Sequence, residues 1–147
     1  MWRPSLWKLQ FEADPSKHFI LKSVTPLELE AARKEMTDKI NGDSSKAALL
    51  FVHGYNSGFG DAAMRTAQLV YDLKFPGMPF FYSWPSANSV RSYLPDEETA
   101  RLSESVFERL LDELSLMPFT DVYIVAHSMG TRVVSHALQH RANKGKT

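Results

Sequence analysis

The spacing of apolar residues changes along the chain, and each change predicts an element. Leu6 to Phe11 alternates, with Trp7, Leu9 and Phe11 on one side and Lys8 and Gln10 on the other. His18 to Lys22 follows the turn signal Asp14-Pro15-Ser16, so the two segments predict a hairpin or a pair of edge strands. Thr25-Pro26-Leu27-Glu28 has the form of a capping box with proline at the first helical position. It predicts a helix from Pro26 to about Ile40, ended by Asn41-Gly42-Asp43.

From Ala47 onward strands and helices alternate cleanly. Ala47 to Val52, AALLFV, is short and wholly apolar, as expected of a strand covered on both faces. A glycine-rich loop, His53 to Gly60, leads to a helix capped by Asp61 and running to about Lys74, with Ala63, Ala67 and Val70 as its buried stripe. Pro76-Gly77 stops it, and Pro79 to Ser83 is the next strand. A third helix is predicted from about Pro95 to Leu116, with the stripe Leu102, Val106, Leu110 and Leu114 and a Glu97–Arg101 pair one turn apart. Asp121 to Ala126, DVYIVA, is a third apolar strand, and a last helix runs to about Arg141, burying Val133, Val134, Ala137 and Leu138. This order predicts an α/β, three-layer fold with a mainly parallel sheet. Residues 1–45 supply the N-terminal strands and helix, and 46–147 form the core of a single domain.

Composition narrows the function classes. The 147 residues are 44% hydrophobic and 23% charged, an ordinary globular balance. Lys+Arg and Asp+Glu both number 17, so no basic field draws nucleic acid. With no cysteine there is no disulfide scaffold, thiol nucleophile or cysteine zinc site, and the chain fits a reducing, cytoplasmic setting. No stretch has the length of a membrane span or the form of a signal peptide.

Two turns carry candidate chemistry. Ala126-His127-Ser128-Met129-Gly130 joins a strand to a helix. There a serine occupies a tight turn that lifts its hydroxyl clear of the sheet, and its neighbours two residues away must be small. The backbone N–H of Met129, opening the helix, would face a developing oxyanion. The earlier turn, His53-Gly54-Tyr55-Asn56, would supply a second donor, the N–H of Tyr55, with Gly54 permitting close approach.

On these residues the sequence resembles the α/β-hydrolases, most closely a largely uncharacterised, mainly bacterial, esterase-like group. The matching stretches are FVHGYN (51–56), FGDAAMRTAQLVYDL (59–73), FPGMPFFYSWPS (75–86), YLPDEETA (93–100) and VYIVAHSMG (122–130). The resemblance implies a serine hydrolase acting on an ester-like acyl substrate, with Ser128 as nucleophile, Tyr55 and Met129 as oxyanion donors, and no cofactor or metal. His53, Gly54, Asn56, Trp84 and His127 would line the site. It also implies an acid and a histidine on later strands. Of the residues after Asp121 none is Asp or Glu, and the histidines beyond the serine, His136 and His140, are expected to face solvent on the following helix. The chain therefore reads as the N-terminal portion of the fold, truncated after the nucleophile helix and weak or inactive. The alternative is a non-catalytic domain that binds a small ligand or a partner chain. The absent later strand would leave Asp121–Ala126 an open edge, to be paired with a second copy or a complementing segment.

Other patterns carry less. Gly58-Phe59-Gly60-Asp61-Ala62-Ala63 imitates a dinucleotide fingerprint but stands six residues past the strand. His136 and His140 have a metal-ligand spacing but no evident carboxylate in sequence. Asp96, Glu97 and Glu98 read as a helix N-terminal charge cluster. Phe80, Phe81, Tyr82 and Trp84 read mostly as core, with Trp84 at a pocket mouth.

Overall fold

The computed structural model describes residues 19–86 and 93–145, with the backbone alone for 93–98. Among these residues the order is α1 (Leu29–Gly42), β1 (Ala47–Val52), α2 (Phe59–Asp72), β2 (Met78–Tyr82), α3 (Tyr93–Ser115), β3 (Asp121–Ala126) and α4 (Met129–Asn143). The strands form one parallel sheet, ordered β2-β1-β3. Val52 stands beside Tyr82 on one side and Ala126 on the other, so the loops that follow all three strands open at one end of the sheet.

Strand periodicity sorts β1 between two helical layers. Leu50 and Val52 enter a core with Ile40 of α1, Phe107, Leu111 and Leu114 of α3, and Met129, Val133 and Ala137 of α4. Leu49 and Phe51 face the α2 side, where Phe51 lines a cleft with Ala62 and Leu69, and Leu49 lines another with Leu73 and Phe75. Helices on both faces of a parallel sheet explain why β1 is apolar at every position. Each fully buried aliphatic or aromatic side chain here contributes about 1.5–3 kcal/mol relative to exposure.

Several elements differ from expectation. Leu6–Phe11 and His18 lie outside the described residues. Phe19–Lys22 is irregular chain, not a strand. Phe19 packs edge-on to Tyr71 of α2, with ring centroids 5.7 Å apart. α1 begins at Leu29, capped by the backbone of Glu28 with no side-chain cap, rather than at Pro26. Leu27 and Leu29 are both exposed, so no apolar burial offsets the cost of an extra first turn. α2 begins three residues early, at Phe59, with Gly58 and not Asp61 as its N-cap. Asp61 therefore sits in the first turn, its carboxylate accepting the Gly58 N–H at 3.2 Å. Its fully buried positions are Ala62 and Thr66, with Ala63, Ala67 and Val70 half-buried beside them.

The expected α3 stripe is displaced by about one residue. Ala100, Ser103, Phe107, Leu111 and Leu114 are buried, while Leu102 and Val106 are exposed. Phe107 decides the rotation: its ring meets Tyr82 edge-on at 5.1 Å, and the Tyr82 hydroxyl donates to the Ser103 carbonyl at 3.0 Å. On α4, Leu138 is exposed and Arg141 is buried instead, paired with Asp112 of α3.

Carboxylates of α3 run alongside α4. Glu104 meets His136 at 2.9 Å, and Glu108 meets His140 at 2.5 Å and Lys144 at 3.5 Å. His136 and His140 are exposed, as expected of them, and each also has a carboxylate partner on the neighbouring helix. Even so, no group of three or more metal-ligating side chains converges among the described residues. α1 is tied to α3 by a two-pronged ion pair from Arg33 to Glu113, both contacts at 2.7 Å. That hydrogen bond from Arg33 holds the Glu113 carboxyl below its ordinary value of 4.5. A carboxyl depressed in the folded state stabilises the fold above its unfolded pKa, and that share is lost as pH falls through the folded one. Stability against thermal unfolding is therefore expected to fall on acidification below about pH 4.5, and Glu113→Gln should flatten that part of the profile. An unchanged slope would show that the pair contributes nothing, as many exposed pairs do.

Candidate active site

The site is built where β1 and β3 run out side by side. β3 ends at Ala126, and the chain turns through His127 and Ser128 into α4. The His127 N–H donates to the Val52 carbonyl at 3.0 Å, so the turn is stitched to the end of β1. Ser128 has φ 52° and ψ −123°, a conformation hostile to any residue with a Cβ, and it is solvent-exposed. This is the tight turn expected of the serine. The N–H groups of Gly130 and Thr131 bond back to the carbonyls of His127 and Ser128, each at 3.0 Å. Met129 occupies the first helical position, where the N–H has no intrahelical acceptor.

The two glycine turns are in contact. A Cβ on Gly54 would lie 2.7 Å from the Ser128 Cβ and 2.7 Å from the His127 carbonyl oxygen. A Cβ on Gly130 would lie 2.5 Å from the His53 carbonyl oxygen and 2.7 Å from that of Val52. Neither glycine can be exchanged without moving backbone, so this proximity is imposed by the missing side chains. The turn after β1 and the turn after β3, 70-odd residues apart in the chain, therefore meet as one surface with Ser128 at its rim.

The remaining site residues divide. His53 is buried, its ring stacked on Trp84 with centroids 5.2 Å apart. Trp84 is itself 1% exposed and donates to the His53 carbonyl at 2.8 Å, so it belongs to the core and not to a pocket mouth. Tyr55 is half-buried against the core. Asn56 is exposed and left-handed, with φ 55°. Beside the turns, an open cleft of 430 Å³ is lined by His53, Gly54 and His127 together with Ser57, Asp61, Arg65, Leu69 and Val125. Asn56, Trp84 and Ser128 are not among its lining.

The cleft brings in residues that motif reading passed over. Asp61, Arg65 and Leu69 follow one another at four-residue intervals on α2, and that spacing was the available signal. Arg65 makes no ion pair among the described residues, and the carboxylate of Asp61 is engaged with the Gly58 N–H. The described histidine–carboxylate hydrogen bonds are those of His136 and His140 with α3. His136 is seven residues into α4, about 10 Å along its axis from the turn.

A parallel sheet flanked by helices, with a strained serine between β3 and α4 and a glycine turn packed on it, is matched by a family model. The model is described as an alpha/beta hydrolase of unknown function (DUF900), and it covers residues 28–147. The chain belongs to this α/β-hydrolase family. No curated protein and no solved structure matches the chain. None of the described helices is long and apolar enough to cross a membrane.

Proposed function

We propose that this α/β-hydrolase chain carries a serine-hydrolase site for an ester-like acyl substrate. Ser128 is its nucleophile, and the N–H groups of Tyr55 and Met129 are the donors to the developing oxyanion. The observation that carries the reading is the contact of Gly54 with the Ser128 Cβ, made while Ser128 holds φ 52°. A strained serine against a glycine turn at a helix N-terminus suits attack on a carbonyl followed by stabilisation of the oxyanion. Apolar groups in the adjoining cleft, Leu69, Val125 and Phe51, suit an acyl or alcohol portion with carbon bulk, and Arg65 suits a substrate that also carries an anionic group. The cysteine-free sequence suits a reducing, cytoplasmic setting.

Among the described residues no hydrogen-bonded histidine–carboxylate pair stands at the serine. The donors alone sustain about 10³–10⁴-fold acceleration over water, so slow chemistry is expected. A fluorophosphonate should modify Ser128 selectively and slowly, read by intact-mass and peptide mapping, and urea-unfolded chain should not react. Equal modification of other serines would defeat the assignment. Rapid, stoichiometric capture would mean that a base is within reach, with His127 the first imidazole to test.

The same lack of a described base favours a second reading, a non-catalytic domain that uses the 430 Å³ cleft to bind a small ligand or partner chain. Saturable ligand binding that survives Ser128→Ala, with no phosphonate capture, would favour it.

We also propose that the outer edge of β3 is completed by a second copy or a separate segment. Among the described residues β3 pairs with β1 alone, Val122 and Tyr123 are exposed, and neither lysine nor proline interrupts 122–125. On the α2 side, Tyr123 and Val125 line an uncovered groove of 660 Å³ with Leu49, Leu73 and Phe75. Phe19 packs on Tyr71 and lines a cleft with Pro79 and Phe81, which places that part of the chain on the β2 side, at the far edge of the sheet. Sedimentation should show concentration-dependent association that Tyr123→Lys weakens. A stable monomer with slow amide exchange throughout Asp121–Ala126 would defeat it.

A further inference from the structure

The residue before the glycine turn does more than fill space. His53 is 1% exposed, and its Nδ1 lies 2.9 Å from the carbonyl oxygen of Gly54, the next residue. A carbonyl only accepts, so Nδ1 carries the proton. In the neutral ring Nε2 is then an acceptor, and the Ser83 hydroxyl, 3.2 Å away, donates to it. The ring is clamped from one face by Trp84, whose indole N–H takes up the carbonyl of His53 itself. Two successive carbonyls of the turn, those of His53 and Gly54, are thus fixed by side chains and not by the sheet.

From this geometry we propose that His53 is a positioning residue: it locks the Gly54–Tyr55 peptide so that the Tyr55 N–H, and not the Gly54 carbonyl, faces the Ser128 side. The use of that N–H rests on the hydrolase reading above; the lock itself does not. In a planar trans peptide the C=O and the following N–H point in opposite directions. Holding the Gly54 oxygen against the imidazole therefore aims the Tyr55 N–H away from it. The lock is needed because residue 54 must be glycine, since a Cβ would collide with Ser128, and glycine is the residue whose flanking peptides turn over most freely. A flipped peptide would replace a donor with a carbonyl oxygen and repel an oxyanion.

Three measurements test the lock. Ring ¹⁵N NMR of the unmodified protein should report the Nδ1–H tautomer for His53; an Nε2–H tautomer overturns the proposal. Asparagine places its amide N–H near the position of Nδ1, whereas glutamine reaches toward that of Nε2. The Tyr55 amide resonance should therefore stay near its wild-type position in His53→Asn and move in His53→Gln. Ser83→Ala, which leaves the Nδ1 contact in place, should give a smaller shift in the same direction and serves if His53→Gln does not fold. Phosphonate capture of Ser128 should slow about 10²-fold in His53→Gln and only a few-fold in His53→Asn. A residue that merely fills volume would not separate the two variants, and equal behaviour overturns the lock. Wild-type protein that is never captured at Ser128 would count against the hydrolase reading, while the tautomer and the Tyr55 amide still decide the lock.

Discussion

Alanine in place of Gly130 is expected to destabilise the protein by about 2 kcal/mol, within the range for overpacked sites, and to lower its unfolding temperature by roughly 4–8 °C. Two effects oppose each other. Gly130 lies in the first turn of α4, where alanine is favoured over glycine by at most about 1 kcal/mol. Against that, the added Cβ would sit 2.5 Å and 2.7 Å from two carbonyl oxygens, those of His53 and Val52. Both are backbone at the end of β1, and neither can rotate aside. α4 must withdraw from the sheet, and Val133 and Ala137, buried in the shared core, withdraw with it. Steric loss outweighs helix propensity. Gly60→Ala is the control: a Cβ there meets nothing within 4 Å, and α2 should gain slightly. Thermal denaturation of the two variants checks the argument, and a Gly130→Ala protein as stable as wild type would show that α4 is free to shift.

This contact also explains which parts of the fold were legible in the sequence. β1 and β3 coincide with their expected bounds because both are short apolar runs bounded by turn residues, a signal that does not depend on partners. Ser128 and Gly54 were legible because each stands at a fixed offset from the end of such a run. The orientation of α3 was not. Two stripes compete there, the aliphatic Leu102-Val106-Leu110 and the mixed Ala100-Ser103-Phe107-Leu111, and Leu114 suits both. The helix turns toward the second because small residues let it approach the sheet and Phe107 fills the space beside Tyr82. Tertiary packing made that choice, and residue-by-residue hydrophobicity does not contain it. The carboxylate partners of His136 and His140 were hidden for a related reason: Glu104 and Glu108 are 32 residues away in sequence and meet them only when α3 and α4 pack. The His53–Trp84–Ser83 arrangement needed the pairing of β1 with β2, which sets Val52 beside Tyr82 and so brings the turns after both strands together.

Ser128→Gly is expected to remove phosphonate capture entirely and yet to stabilise the fold. At φ 52° and ψ −123° the serine Cβ crowds its own backbone. Such positions cost of order 1–3 kcal/mol. Glycine relieves that crowding, since for it this conformation mirrors an ordinary extended one, but it gives back about 0.5–1 kcal/mol through the greater freedom of the unfolded chain. The net gain is about 1 kcal/mol, or roughly 2–4 °C in unfolding temperature. Ser128→Ala separates the two effects: it loses the hydroxyl, and with it capture, but keeps the Cβ and the crowding, so its stability should match wild type. If Ser128→Gly proves no more stable than Ser128→Ala, the turn is not strained and the geometric case for Ser128 as an exposed nucleophile loses its physical basis. If it is more stable, the chain carries serine at a position where glycine would fold better, which is the expected signature of a residue kept for chemistry and not for the fold.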